Sequence, residues 1–328
     1  MSSAISIVPS LIGKNWEKIK TKEYTKVYNP ASGKVISNTP MLTSTEVSKA
    51  IKFAKTAFPQ WSKEPPTRRA NIMHNYRSLL KQNFNEIAEL ISTENGKTII
   101  EARGDIQRGF EVVEYACGIA EHQKGESLSQ VAENIDGITV REPIGVCAGI
   151  SPFNFPAMVP MWMFPIAIAC GNTFVLKPSE KVPLTAVRLV ELLLEAGLPD
   201  GVMNLVHGGK EVVDTLCTHP DISAISFVGS STIAKYVYKL GSSNGKRVQA
   251  GGAAKNALVV MPDADPDSTL RAVMSASFGC AGQRCMAGSL LIGVGEIGKP
   301  LKEKLLNAMN NLKVGAPLLD PNINMGPV

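Results

Sequence analysis

The sequence is sparing with the residues that most often announce a function. Histidine is scarce: His74, His122, His207 and His219 are far apart and have no metal-ligand spacing, so no metal centre is expected. Six cysteines are scattered through 328 residues with no C-x-x-C pair, which argues against a disulfide framework. No long apolar run is present. The most apolar stretch, Ala157 to Cys170, is interrupted by Pro160 and Pro165 and is shorter than the roughly 20 residues a membrane span needs. Residues 1–13 lack a basic segment followed by an apolar one, so no secretory signal is expected. There is no basic run and no aromatic ladder; 34 basic and 29 acidic residues are interspersed, giving a net charge of +5. Nucleic acid is therefore not an expected partner. The expectation is a soluble, cytoplasmic, metal-free protein.

What is present is ordinary globular composition, 44% hydrophobic and 19% charged, over a length that suggests two domains. The most informative stretch is Phe278-Gly279-Cys280-Ala281-Gly282-Gln283-Arg284-Cys285-Met286. A thiolate is the reactive form of cysteine, and a neighbouring cation favours it. Cys285 beside Arg284 is thus a candidate covalent nucleophile. A buried, inert cysteine among small residues fits the same stretch equally well.

Taken in order, the first 40 residues read as an irregular arm with short strands and a turn at Asn29–Gly33. Thr43-Ser44-Thr45-Glu46 has the form of a capping box, and Val47, Ala50, Ile51, Ala54 and Phe58 follow at helical spacing. Further helices are expected from about Thr67, over Asn85–Asn95 with Gly96 as the stop, and from Thr98 to Gln123. The last carries Arg103 and Arg108, which read from the pattern alone as a solvated face. Asp136-Gly137 is a turn signal inside a stretch able to pair as a hairpin. From Gly145 onward apolar strands alternate with helices. The strands end at Ser151–Pro156, Lys177–Glu180, His207–Gly209 and Gly229–Ser231. This order predicts an α/β fold, a parallel sheet with helices on both faces and ligands at the strands' carboxyl ends. The alternating region has no G-x-G-x-x-G fingerprint, so a dinucleotide there would be held in another way.

Five fragments together, Pro152–Pro156, Gly171-Asn172-Thr173, Lys177-Pro178-Ser179-Glu180, Phe227-Val228-Gly229-Ser230 and Gly282-Gln283-Arg284-Cys285, resemble the aldehyde dehydrogenase superfamily in order and spacing. Pro152–Thr173 with Trp162-Met163 inside it, Met286, and Ala234 in place of a usual glycine are similar to its CoA-acylating methylmalonate-semialdehyde (malonate-semialdehyde) branch. The resemblance implies a Rossmann-like NAD-binding domain over 1–123 and 147–255, a protruding oligomerisation hairpin over 124–146, and the first part of an α/β catalytic domain over 256–328. It implies Cys285 as nucleophile and Asn154, with the Cys285 backbone N–H, as oxyanion donors. Ser151, Phe153, Lys177, Glu180, Lys181, Gly229 and Ser230 would hold NAD, with Glu180 disfavouring a 2′-phosphate. Arg108 and Arg284 would grip a substrate carboxylate. CoA would be the co-substrate, and full-length relatives form homodimers or homotetramers.

Two departures from the family pattern bear on function. Where hydrolytic members carry the glutamate that activates water, this chain has Gly251, in Gly251-Gly252-Ala253-Ala254-Lys255. Glycine cannot act as a base, which favours release of the acyl group to CoA, a thiol that needs less activation than water. Gly252 and Gly288 also depart from the usual residues. The second departure is an end at Val328, inside the implied catalytic domain, before the glutamate-phenylalanine-glycine-proline stretch that holds the nicotinamide ribose. Two other readings stay open: a hydrolytic NAD(P)-dependent aldehyde dehydrogenase, and a truncated NAD-binding fragment without turnover.

Overall fold

Local chemistry starts the first helices of the computed structural model, which describes residues 5–327. Two short strands, β1 (Ser10–Ile12) and β2 (Asn15–Glu17), and an antiparallel pair, β3 (Tyr24–Asn29) and β4 (Lys34–Pro40), come first. Thr43 then closes the capping box with Glu46 that opens α1 (Ser44–Trp61). A proline at its first turn starts α2 (Pro66–Gln82), and Gly96, at φ 91°, terminates α3 (Phe84–Asn95). Thr98 and Glu101 form a second reciprocal capping box for α4 (Ile99–Cys117).

The helix expected to run to Gln123 ends at Cys117, and a separate turn, α5 (Ile119–His122), follows Gly118. The His122 ring stacks on Tyr115 at 4.1 Å across the break. The hairpin expected in the next stretch exists as β5 (Ser127–Ala132) and β6 (Ile135–Ile138). Its turn is at Glu133-Asn134, with Asn134 at φ 60°, and Asp136-Gly137 lie within β6 instead. Asparagine tolerates the left-handed conformation well enough to take the turn position.

The alternating region contains β7 (Val146–Ile150), α6 (Met158–Ala169), β8 (Thr173–Lys177), α7 (Leu184–Glu195), β9 (Met203–Leu205), α8 (Lys210–Thr218), β10 (Ile222–Val228), α9 (Ser231–Ser243) and β11 (Arg247–Gly251). The sheet order is β11-β10-β7-β8-β9-β1-β2. The five strands from β7 onward are mutually parallel, whereas β1 and β2 add an antiparallel edge that the sequence pattern did not show. Successive residues of the central strands alternate between two cores. Cys147, Phe174 and Leu176 pack with α2, α3, α4, α6 and α7, while Val146, Ala148, Ile150 and Val175 pack with α1, α8 and α9. Each central strand is thus covered on both sides, which accounts for its continuous apolar run.

The chain leaves β7 toward β8 and β9 on one side and returns to β10 on the other. The carboxyl ends of β7, β8 and β10 therefore surround the point where strand order reverses, the place where open α/β sheets take ligands. After β11 the chain forms β12 (Asn256–Val260), α10 (Pro266–Phe278), β13 (Gly288–Gly293) and α11 (Gly298–Asn310), with β12 and β13 paired in parallel. Among the described residues no helix is long and apolar enough to cross a membrane.

Candidate active site

A cleft of about 620 Å³ opens at the strand-order reversal. Ser151, Phe153, Lys177, Glu180, Lys181, Gly229 and Ser230 all line it, together with Ile150, Phe227, Lys210 and Tyr236. These residues come from the carboxyl ends of β7, β8 and β10, the loops that follow them, and α8 and α9, and the parallel register aligns the strand ends: Ile150 pairs with Lys177 on one side and Phe227 on the other.

Lys177 is buried at the end of β8, and its ammonium donates to Glu180 at 3.1 Å and to the Pro178 carbonyl at 2.9 Å. Burial pushes the Lys177 pKa down, and the Glu180 charge offsets part of that. Burial pushes Glu180 up, but Lys177, the Glu180 backbone N–H and Lys181 outweigh it and hold the carboxyl below its ordinary value. The Glu180 carboxylate is therefore ionised at neutral pH, and among the described residues the Lys177 amine has two acceptors, Pro178 and Glu180, which leaves a third donor of its ammonium form for a ligand. The buried Ser151 hydroxyl has no hydrogen-bond partner among the described residues, an orphan that a polar ligand in this cleft can satisfy.

Gly229 is required by close approach. A Cβ there would lie 2.6 Å from the Phe227 ring, so a side chain would press into the cleft wall. Ser230 sits before the first turn of α9 with extended φ and ψ, and its hydroxyl makes no cap bond. That leaves the amide donors of the helix N-terminus available to an anion. The cleft thus offers a charged pair able to bind hydroxyls, an orphan hydroxyl and a helix N-terminus, a set that suits a dinucleotide's ribose and pyrophosphate.

The candidate nucleophile lies on the adjoining loop, and Cys285 is exposed. Asn154 reaches this loop from the end of β7: its side-chain amide donates to the Gln283 carbonyl at 2.9 Å. Asn256 holds the far side, donating to the carbonyls of Cys285 at 2.8 Å and Ala287 at 3.1 Å. Within the loop Cys280, Ala281 and Gly282 all take positive φ, at 50°, 52° and 74°. Two of them are not glycine, so the turn is strained and must be held by its surroundings.

Arg284 differs from the sequence expectation of a charge partner for Cys285. Its Nε donates to the Cys280 sulfur at 3.4 Å, and its guanidinium lies 3.5 Å from the Glu101 carboxylate. Cys280 is buried, and burial chiefly raises its pKa, so this sulfur is an inert acceptor. Arg108 is exposed on α4, paired with Glu111 at 2.9 Å, and does not line the cleft. Glu101 and Arg108 are seven residues apart on α4, about two turns, so Arg108 stands on the same side of the helix as the Arg284 anchor. Gly251 ends β11, and a Cβ there would meet only ordinary contacts at 3.7 and 3.8 Å.

Several structural residues were missed from sequence. Asn95 donates to the Phe153 carbonyl at 3.0 Å, Lys97 to the Asn154 carbonyl at 2.7 Å, and Glu101 accepts from the Cys280 N–H. Only Thr98-x-x-Glu101 gave a readable signal, as a capping box. Gly293–Gly298, running from the end of β13 to the start of α11, also has the form G-x-G-x-x-G. Packing accounts for two of its glycines: a Cβ on Gly293 would lie 2.7 Å from the Gly298 Cα, and Gly295 has φ 63°. The pattern lines none of the cleft.

The sequence profile of the aldehyde dehydrogenase family matches residues 16–328. The chain belongs to the aldehyde dehydrogenase family. It is 49% identical to the malonate-semialdehyde dehydrogenase of Halalkalibacterium halodurans, over 97% of this chain and 66% of that protein. It is 48% identical to the acylating, mitochondrial methylmalonate-semialdehyde dehydrogenase of Arabidopsis thaliana, over 98% of this chain and 53% of that protein. Among solved structures, a methylmalonate-semialdehyde dehydrogenase from Oceanimonas doudoroffii superposes with a TM-score of 0.96 at 46% identity, covering 99% of this chain and 66% of the other. A Sinorhizobium meliloti protein described as a methylmalonate-semialdehyde dehydrogenase complexed with NAD gives 0.96 at 45% identity, covering 100% of this chain and 67% of the other. The chain therefore spans about two thirds of the length of most of these relatives, and 53% of the plant protein.

Proposed function

We propose that the chain carries the NAD site and the nucleophile of a CoA-acylating semialdehyde dehydrogenase acting on malonate or methylmalonate semialdehyde. The observation that supports this most directly is the cleft, where Ser151, Phe153, Lys177, Glu180, Lys181, Gly229 and Ser230 converge beside the Asn154–Gln283 bond.

Lys177 and Glu180 would hold the adenosine ribose, and the α9 N-terminus with Ser230 the pyrophosphate. Glu180 would face a 2′-phosphate with like charge, favouring NAD over NADP. Bound NAD supplies the hydride acceptor. The Cys285 thiolate adds to the aldehyde carbon, and the charge left on oxygen is met by the Asn154 amide and the Cys285 N–H. Loss of hydride leaves an acyl thioester on Cys285. With a semialdehyde, the carboxylate β to that thioester departs as CO2 and a proton takes its place. The CoA thiolate then attacks the acyl carbon and Cys285 leaves as thiolate, giving acetyl-CoA from malonate semialdehyde or propionyl-CoA from the methylated substrate. Gly251 has no group to activate water for the competing hydrolysis. Arg284 and Arg108 would bind the substrate carboxylate, Arg284 after exchanging Glu101 for it.

The test is NADH formation from malonate semialdehyde with and without CoA. The reading expects turnover that depends on CoA. Sustained turnover without CoA supports hydrolysis instead, and NAD binding with no turnover under either condition supports a nucleotide-binding fragment.

A further inference from the structure

Both loops of the candidate site are tied to one short segment. Lys97 lies in the turn between α3 and α4, and its side chain is fully buried, as is that of its ion-pair partner Asp105 at 3.0 Å. A buried lysine is expensive unless every donor is used. Here all three have partners: Asp105, the Asn154 carbonyl at 2.7 Å, and the Phe155 ring face, 4.1 Å from Nζ. The second Asp105 oxygen accepts from the Met158 N–H at 2.7 Å, where α6 begins. The loop between β7 and α6 is therefore held at its middle, Asn154, and where it enters α6, Met158, by one ion pair. Two residues before Lys97, Asn95 holds the Phe153 carbonyl; four residues after it, Glu101 holds Cys280 and Arg284. Stabilising an isolated sheet needs none of these contacts, because Asn154 and Cys280 belong to loops.

We propose that Lys97, fixed by Asp105, is a positioning residue that sets the Asn154 amide against the Cys285 loop. The proposal rests on the reading of Asn154 and Cys285 given above. Lys97 touches neither substrate nor cofactor and acts through the Asn154 main chain. Displacing Asn154 loosens its bond to Gln283, and the strained 280–282 turn loses one of its restraints.

The test uses the full chain carrying Lys97→Met with Asp105→Asn, which removes the ion pair without leaving a lone buried charge. Lys246→Met is the control. That lysine is also buried and donates to the His219 and Ile222 carbonyls, but at the opposite end of β10. Hydrogen–deuterium exchange read by peptide mass spectrometry should rise about tenfold or more in both 151–158 and 279–286 in the double variant. In the control both segments should keep wild-type rates. Turnover should fall between about tenfold and a hundredfold, the cost of a misplacement of about 1 Å, with the KM for NAD within about twofold. Unchanged exchange at 279–286 in a folded double variant overturns the proposal, as does an equal rise there in the control. Absence of turnover in the wild type overturns the functional reading instead, and the exchange data still decide the coupling.

Discussion

The side-chain amide of Asn154 donates to the backbone carbonyl of Gln283 at 2.9 Å, joining positions 129 residues apart in the chain. One end of this bond belongs to the loop that leaves the central strand β7, the other to the loop that carries Cys285. The proposed oxyanion donor and the proposed nucleophile are thus parts of one connected unit. Replacing Asn154 with alanine removes both the donor and the tie. Activity should fall about a hundredfold to a thousandfold, the usual cost of one oxyanion donor. NAD affinity, measured by fluorescence titration, should stay near wild type because Asn154 does not line the cleft.

Glu180 sets the second expectation. Its carboxylate is held ionised by Lys177 at the cleft floor, where a 2′-phosphate would meet like charge. Glu180→Gln keeps the shape and removes the charge. The ratio of kcat/KM for NAD to that for NADP should drop by about tenfold, equivalent to about 1.4 kcal/mol. An unchanged ratio would place cofactor selection elsewhere.

Gly251 gives a gain-of-function test. The position ends a strand, is exposed, and offers an added Cβ only ordinary contacts. A glutamate is therefore sterically admissible. Gly251→Glu should add CoA-independent NADH formation with semialdehyde, read as turnover in the absence of CoA. Gly252 is less permissive, since a Cβ there would lie 3.0 Å from the Ser231 hydroxyl and 3.2 Å from its Cα.

His207 makes stability pH-dependent. The buried ring donates from Nε2 to the Pro9 carbonyl at 3.0 Å, while Nδ1 has no partner among the described residues. Burial depresses its pKa from 6.5 to about 4, so the native state keeps it neutral while the unfolded chain protonates it first. Its contribution is fully present above pH 6.5 and is lost as pH falls through about 4. The loss amounts to about 3 kcal/mol. Chemical denaturation at stepped pH should show this slope in the wild type and a shallower one in His207→Gln.

How far the sequence disclosed this arrangement depends on distance along the chain. Helix starts at Thr43 and Thr98 and the stop at Gly96 were legible because capping is local chemistry. So was the alternation of strand and loop that puts Lys177, Glu180, Gly229 and Ser230 at strand ends. The hairpin is legible, but Asp136-Gly137 is the stronger local turn signal, whereas register places Asn134 at the reversal. The antiparallel edge formed by β1 and β2 gave no signal, since three-residue strands have no period to read. Sequence adjacency points Arg284 at Cys285, whereas the fold turns it toward Cys280 and Glu101. The supporting contacts of Asn95 and Lys97 span more than 50 residues and leave no pattern in the sequence.

The central claim is that an acyl group passes through the sulfur of Cys285 on its way to CoA. It is tested by incubating the chain with NAD and malonate semialdehyde without CoA, quenching in acid, and locating the added mass by peptide mass spectrometry. The account expects an acyl adduct on the peptide carrying Cys285, removed by added CoA and absent from Cys285→Ser. NADH formation by Cys285→Ser at the wild-type rate, or turnover with the adduct on another residue, would contradict it.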